Sequence, residues 1–217
     1  MLPNAELARR SAVLFEDEHL LALDKPSGIH TAPVRPHDVD TLLAAAIAHD
    51  PRIAAAGPPL EGGLVHRLDR GTSGVVLFAK DAMTRARLRE AFSAHSIEKR
   101  YQALVLDVSG LPAGLVIDAP LSSSGPRVRF DPTGLSAVTI VRSIEPFSMD
   151  RFRVEVSATT GRRHQIRVHL ALRGAPILGD ELYGLGPGRL ALHACWIQVP
   201  RWPAIASPWP SDLATER

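Results

Sequence analysis

The sequence predicts an α+β fold built on a mainly antiparallel mixed sheet with flanking helices. Three observations predict it. Short runs rich in Val, Ile and Leu, several of them alternating apolar with polar, recur along the chain. Only two stretches have helical composition together with a capping residue at their start. The 217 residues, 45% of them hydrophobic, contain no internal repeat and no low-complexity linker, which predicts one domain over residues 1–217.

In chain order, "VLFEDEHLLALDKPSGIH" reads as two strands joined by an Asp-Glu turn and closed by a Pro-Ser-Gly break. "TLLAAAIAHD" reads as an Ala-rich helix with Asp40 as N-cap, and "PRIAAAGPPLEGG" as a loop. "GVVLFAKD" is a buried strand. Asp81 then caps a second helix, "AMTRARLREAFSAHS", in which Leu88 and Phe92 share a face. "KRYQALVLDV" is a strand with Tyr101, Ala103 and Val105 on one side. "SSSGPRVRFDPTG" reads as a basic loop, and "AVTIVRSIE", "FRVEVSATT" and "ALHACWIQVP" as strands. In "TGRRHQIRVHLALRGAPILGD", Ile166, Val168 and Leu170 alternate with Gln165, Arg167 and His169, which predicts another strand.

The net charge is only +2 and the pI about 9.0. The cations are mostly Arg and cluster at 85/87/89, 99/100, 127/129 and 162/163/167, a pattern suited to phosphate. The single cysteine, Cys195, excludes an internal disulfide framework and a multi-thiolate zinc site. "MLPNAELARRSAV" lacks the apolar centre of a secretory leader, and no run approaches 18 apolar residues. These features predict a cytoplasmic protein without a membrane partner.

The chemistry concentrates in two places. In "HRLDRGTSG", Asp69 is flanked by Arg67 and Arg70 and precedes a strand bound for the core. Thr72, Ser73 and Gly74 supply turn chemistry. From spacing alone, a catalytic aspartate and a turn-capping aspartate read equally well. In the second place, Arg167 lies in an otherwise apolar run, where a guanidinium demands a carboxylate partner. His164 and His169 fall on opposite faces of a strand and make a poor metal pair. "GTSGV" is not a nucleophile elbow, and no phosphate-binding glycine loop is present.

"HRLDRGTSG" followed by a strand and "AK" resembles the signature of the RluA-type pseudouridine synthases. "LLALDKPSGIHT", "IEKRYQALV", "TTGRRHQIRVHLALRGAPILGDELYG" and "LALHACWIQVP" resemble further family blocks, in the family's order. The resemblance implies a central catalytic cleft and conversion of uridine in RNA to pseudouridine with no cofactor and no metal. It implies that Asp69 is the essential carboxylate, attacking the sugar or removing its 2′ proton. Tyr101 is similar to the tyrosine that stacks on the uracil, and Arg167 to the arginine paired with the aspartate. Arg67 resembles the residue that fills the space of an extruded base. His66, Arg162, Arg163, His164 and Gln165 are the remaining candidates for RNA or base contact. Arg163 stands where the family commonly has Thr, and an added phosphate contact is expected there. No S4-type RNA-binding domain is expected ahead of these motifs. The expected partner is a ribosomal or transfer RNA stem-loop, and the expected state a monomer.

Two other readings compete. One is a silent RNA-binding module, which would have no reason to keep Asp69, Tyr101 and Arg167 together. The other is a metal-dependent phosphoesterase built on His66, Asp69, His164 and His169, whose activity, unlike a synthase's, would be abolished by EDTA.

Overall fold

A computed structural model describes residues 11–35, 38–184 and 186–214. The stretch expected to lack a leader lies, for residues 1–10, outside them. The strands are β1 (Val13–Glu16), β2 (Leu20–Lys25), β3 (Ser73–Ala79), β4 (Glu98–Val105), β5 (Val116–Asp118), β6 (Leu121–Ser124), β7 (Arg127–Phe130), β8 (Val138–Ser148), β9 (Arg151–Ala158), β10 (Leu192–Gln198) and β11 (Ile205–Ala206). The helices are α1 (Leu42–His49), α2 (Arg52–Ala55), α3 (Ala82–Ser93), α4 (Gln165–Leu172) and α5 (Ser211–Ala214). The chain divides into two compact units, one of residues 1–97 and 196–208, the other of residues 98–195 and 209–217.

In the first unit β1 pairs with β2, and β2 with β3, both antiparallel. The β2–β3 register runs from Leu20↔Ala79 to Lys25↔Gly74. β3 is buried along its whole length, as its continuous apolar run requires. Leu77 and Phe78 have no exposed surface, and burial of such side chains stabilises by about 1.5–3 kcal/mol each. On α3, Leu88 and Phe92 both pack into this unit's core, and the Asp81 carboxylate accepts from Thr84 N–H at 2.8 Å. The cap of α1 is Thr41 rather than Asp40. Its hydroxyl accepts from Ala44 N–H at 3.2 Å, which places it one residue nearer the first helical turn. "PRIAAAGPPLEGG" is not wholly a loop, since α2 opens it.

In the second unit β4, β9, β8 and β5 lie side by side in antiparallel ladders. "SSSGPRVRFDPTG" folds as the β6–β7 hairpin rather than as a loop. Val128 points into a small core with Val168, while Arg127 and Arg129 alternate outward.

The predicted strand over 164–170 is a helix, α4. Its polar positions do not define a solvent face, because all residues from Gln165 to Leu170 are buried. Each polar group instead finds a tertiary partner. His169 Nε2 meets Ala119 O at 3.0 Å, and its Nδ1 meets Thr139 Oγ1 at 2.9 Å. Burial lowers the imidazole below its usual range, against weaker opposing effects of Ala119 O and Asp118. The helix ends in a Schellman motif: Ala175 N–H bonds Leu170 O at 3.0 Å, Gly174 N–H bonds Ala171 O at 3.1 Å, and Gly174 has φ 75°. "RGAP", a glycine with a proline two residues on, is the stop signal that period-2 reading overlooks.

Candidate active site

In the first unit Asp69 sits at the start of a turn. Thr72 N–H closes it on Asp69 O at 3.1 Å, so Arg70 and Gly71 form its centre. The turn thus lies earlier than the predicted Thr72-Ser73-Gly74, of which Ser73 and Gly74 already belong to β3. Gly74, at φ 114°, adopts a backbone that side chains resist.

The backbone around Asp69 is held on both sides by "KPSGIHT". The Thr31 hydroxyl donates to Leu68 O at 2.8 Å and accepts from Leu68 N–H at 3.2 Å. Ser27 Oγ donates to Gly71 O at 2.7 Å, and Gly28 N–H donates to Arg70 O at 2.9 Å. Lys25 has no exposed surface, and its ammonium donates to Arg70 O, Pro26 O and Ile29 O at 3.1, 3.0 and 2.8 Å. These contacts all reach main-chain groups, so the loop is fixed while the Asp69 side chain stays half-buried. Replacing Lys25 with Met removes a buried charge but takes the ammonium donor from Pro26 O and Ile29 O, while Arg70 O keeps the Gly28 amide, so a net destabilisation of about 2 kcal/mol is expected. Thermal melts of Lys25→Met against wild type check it.

Of the other candidates in this unit, Arg67 is exposed, as an RNA contact requires. His66 has structural work: its Nε2 accepts from Leu77 N–H at 3.2 Å and its ring stacks on Phe92 at 4.8 Å.

In the second unit Tyr101 lies half-buried on β4, opposite Val156. Lys99 shares its face of the strand, and burial pushes that ammonium down to about 8. Sequence reasoning placed Lys99 only in a basic cluster, although "EKRY" puts it two residues from the tyrosine.

Arg167 makes a two-pronged ion pair with Asp180, with Nε to Oδ2 and Nη2 to Oδ1 both at 2.8 Å. Asp180 also accepts from Leu182 N–H at 3.0 Å and Tyr183 N–H at 3.2 Å. Burial pushes its carboxyl up, but the Arg167 fork and the two amides outweigh this and hold it below the usual carboxylate range. The demanded carboxylate partner is thus supplied by the "GDELYG" segment, a partner that spacing alone did not single out. The Arg167 guanidinium also stands 5.3 Å from the Tyr183 ring centroid.

The remaining candidates surround the start of α4. His164, at φ 52°, pairs through Nδ1 with the Tyr183 hydroxyl at 2.8 Å. Gln165 uses its whole amide inside the unit: Oε1 accepts from Thr160 Oγ1 and Arg162 N–H, and Nε2 donates to Val138 O and Thr139 Oγ1. Arg162 donates to Ser136 O at 3.0 Å. Arg163 reaches Gly125 O and Pro126 O, both at 2.9 Å, at the tip of the β6–β7 hairpin. Among the described residues no group of three His, Cys, Asp or Glu gathers at ligating distance.

The sequence model of one family, described as RNA pseudouridylate synthase, matches residues 19–172. The chain belongs to the RNA pseudouridylate synthase family. The RluA-type resemblance is borne out by curated relatives. A ribosomal large subunit pseudouridine synthase D from Pseudomonas aeruginosa is 37% identical over 175 residues, 79% of this chain and 53% of that protein. One from Xanthomonas campestris is 40% identical over 176 residues, 79% of this chain and 51% of that one. The chain therefore spans about half the length of these pseudouridine synthases. The pseudouridine synthase fold, α+β as predicted, is seen in human RNA pseudouridylate synthase domain containing 4. That structure superposes with a TM-score of 0.74 at 25% identity, covering 96% of this chain and 92% of the human one.

Proposed function

We propose that the protein is an RNA pseudouridine synthase acting on uridine in ribosomal RNA, with Asp69 as its essential carboxylate. Family membership supports the reaction, and the relatives' names support the substrate class. The observation that carries the role of Asp69 is its loop. Hydrogen bonds hold the main chain on both sides of the residue, in a segment matching the family signature, and leave the carboxylate as the variable chemical group.

In the proposed reaction the N1–C1′ bond of uridine breaks, the uracil turns, and a C5–C1′ bond forms. A proton leaves C5 and one is taken up at N1, so the change is a net isomerisation. Asp69 attacks C1′ or removes the 2′ proton. Tyr101 offers a ring for stacking the extruded base and a hydroxyl near its C5 proton. Arg67 takes the place of the base in the stack, since a guanidinium stacks well. Arg167 is held by Asp180 within its own unit. The protein works in the cytoplasm, as one domain, and as a monomer; among the described residues no helix is long and apolar enough to cross a membrane.

The test is tritium release from ribosomal RNA labelled at C5 of uridine, with mapping of the product sites. Release that depends on the protein and a new pseudouridine are expected. No release from ribosomal RNA lacking its modifications would overturn the proposal.

A further inference from the structure

The arginine clusters of the second unit are mostly committed to other groups. Arg100 pairs with Glu98, Arg153 with Glu145, and Arg167 with Asp180, while Arg162 and Arg163 hold main-chain carbonyls. Arg127 and Arg129 differ. Both are exposed on β7, and neither has an ion-pair partner among the described residues; Asp131 gives Arg129 only a weaker, more distant attraction.

Both residues line a groove of about 660 Å³ between the β6–β7 hairpin, α4 and the Tyr183 segment. That is within the roughly 300–1,000 Å³ of small-ligand sites. Its apolar surface comes from Val168, Tyr183, Leu172 and Phe130. Leu172 is 50% and Phe130 48% exposed, although both are large and apolar. The groove is also braced. Val128 N–H donates to the Tyr183 hydroxyl at 2.7 Å, and Arg163 grips the hairpin tip. So Arg163, where Thr was expected from the family, acts as a clasp on the element that carries the unpaired cations.

We infer that this groove is a second RNA-binding site, taking one unpaired nucleotide of the substrate with its base against Phe130 and Leu172 and its flanking phosphates on Arg127 and Arg129. The occupant follows from charge and shape. An anion alone would not use the aromatic wall, and an apolar ligand alone would not use two unpaired guanidiniums. A nucleotide uses both. The inference rests on the proposed activity only in taking RNA as the ligand.

The test uses the full chain with two fluorescent probes, a 12-nucleotide oligouridylate and an abasic phosphodiester of equal length. Phe130→Leu is expected to weaken oligouridylate binding roughly tenfold and leave the abasic probe unchanged. Arg127→Gln with Arg129→Gln is expected to weaken both probes and to reduce the salt slope by about 1.4, at roughly 0.7 per phosphate on a single strand. A 4-thiouridine version of the oligomer is expected to crosslink within residues 127–130 or at 172. Should Phe130→Leu fail to fold, Leu172→Ser tests the opposite wall by the same loss. Unchanged oligouridylate binding, equal loss on both probes, or crosslinks only elsewhere would overturn the inference. So would equal displacement by polyglutamate of matched charge, which would make the groove a reader of acidic protein segments. If wild-type protein forms no pseudouridine but the binding results hold, the proposed activity falls and the groove stands. If it forms pseudouridine and the variants bind as wild type, the groove alone falls.

Discussion

Asp69→Asn is expected to lose roughly 10³- to 10⁴-fold in turnover while keeping its fold and its affinity for RNA. The size follows from removing a group that acts on the reacting atoms, whether as base or as nucleophile. The selectivity follows from the loop. Its anchors are Leu68, Arg70 and Gly71 main-chain atoms, held by Thr31, Lys25 and Ser27, and Asn changes none of them. The turn itself closes on Asp69 O, not on the carboxylate. Stability should therefore stay within about 1 kcal/mol of wild type. Single-turnover tritium release, filter binding and a thermal melt check the three parts. Wild-type turnover by the Asn variant would remove Asp69 from the mechanism, whatever the fate of the family assignment.

Arg167→Met should damage both turnover and stability. Arg167 is 8% exposed and Asp180 1% exposed, so the variant leaves a carboxylate buried without its fork. Breaking such a pair typically loses about 3–5 kcal/mol, a fall in melting temperature of roughly 10 °C or more. The pH dependence identifies the cause. In wild type the Asp180 carboxyl is held below its usual value, so the pair stabilises the fold above about pH 4, and this is lost as pH falls through the lowered folded value. In the variant only the Leu182 and Tyr183 amides oppose burial, so the folded-state carboxyl rises and the stabilisation it gave above about pH 4 shrinks. The melting-temperature gap should thus be wide near pH 7 and narrow on acidification. A gap that ignores pH would mean that lost packing, not the ion pair, is responsible. Arg167→Lys, which keeps the charge but not the two-pronged geometry, should fall between.

How far the site was legible depended on where each residue's partners lie in the chain. "HRLDRGTSG" could be read because its chemistry is local, with turn residues directly before a buried strand. Asp81 was a readable cap for the same reason, since it bonds a main-chain amide three residues away. Lys25 could not be read as a clamp. Its contact with Arg70 O spans 45 residues and exists only because β2 and β3 pair. His66 and Gln165 looked like base-binding groups in a list of polar residues. Their partners, the Leu77 amide and the Thr139 hydroxyl among them, are supplied by distant strands.

The sequence by itself determined the family, the α+β class, the buried strand that follows the aspartate loop, and the need for a carboxylate beside Arg167. All of these follow from short-range patterns or from a burden that any fold must meet. The tertiary structure decided that 165–172 is a helix rather than a strand, that 121–130 is a hairpin, and that Asp180 answers Arg167. The physical reason is the same in each case. In α4 the alternation of apolar and polar residues normally signals one solvated face, but Asp180, Thr139 and Ala119 satisfy the polar side chains inside the unit. Once tertiary partners bury a polar group, periodicity no longer reports which way it faces, and the helix is disclosed only by its glycine stop.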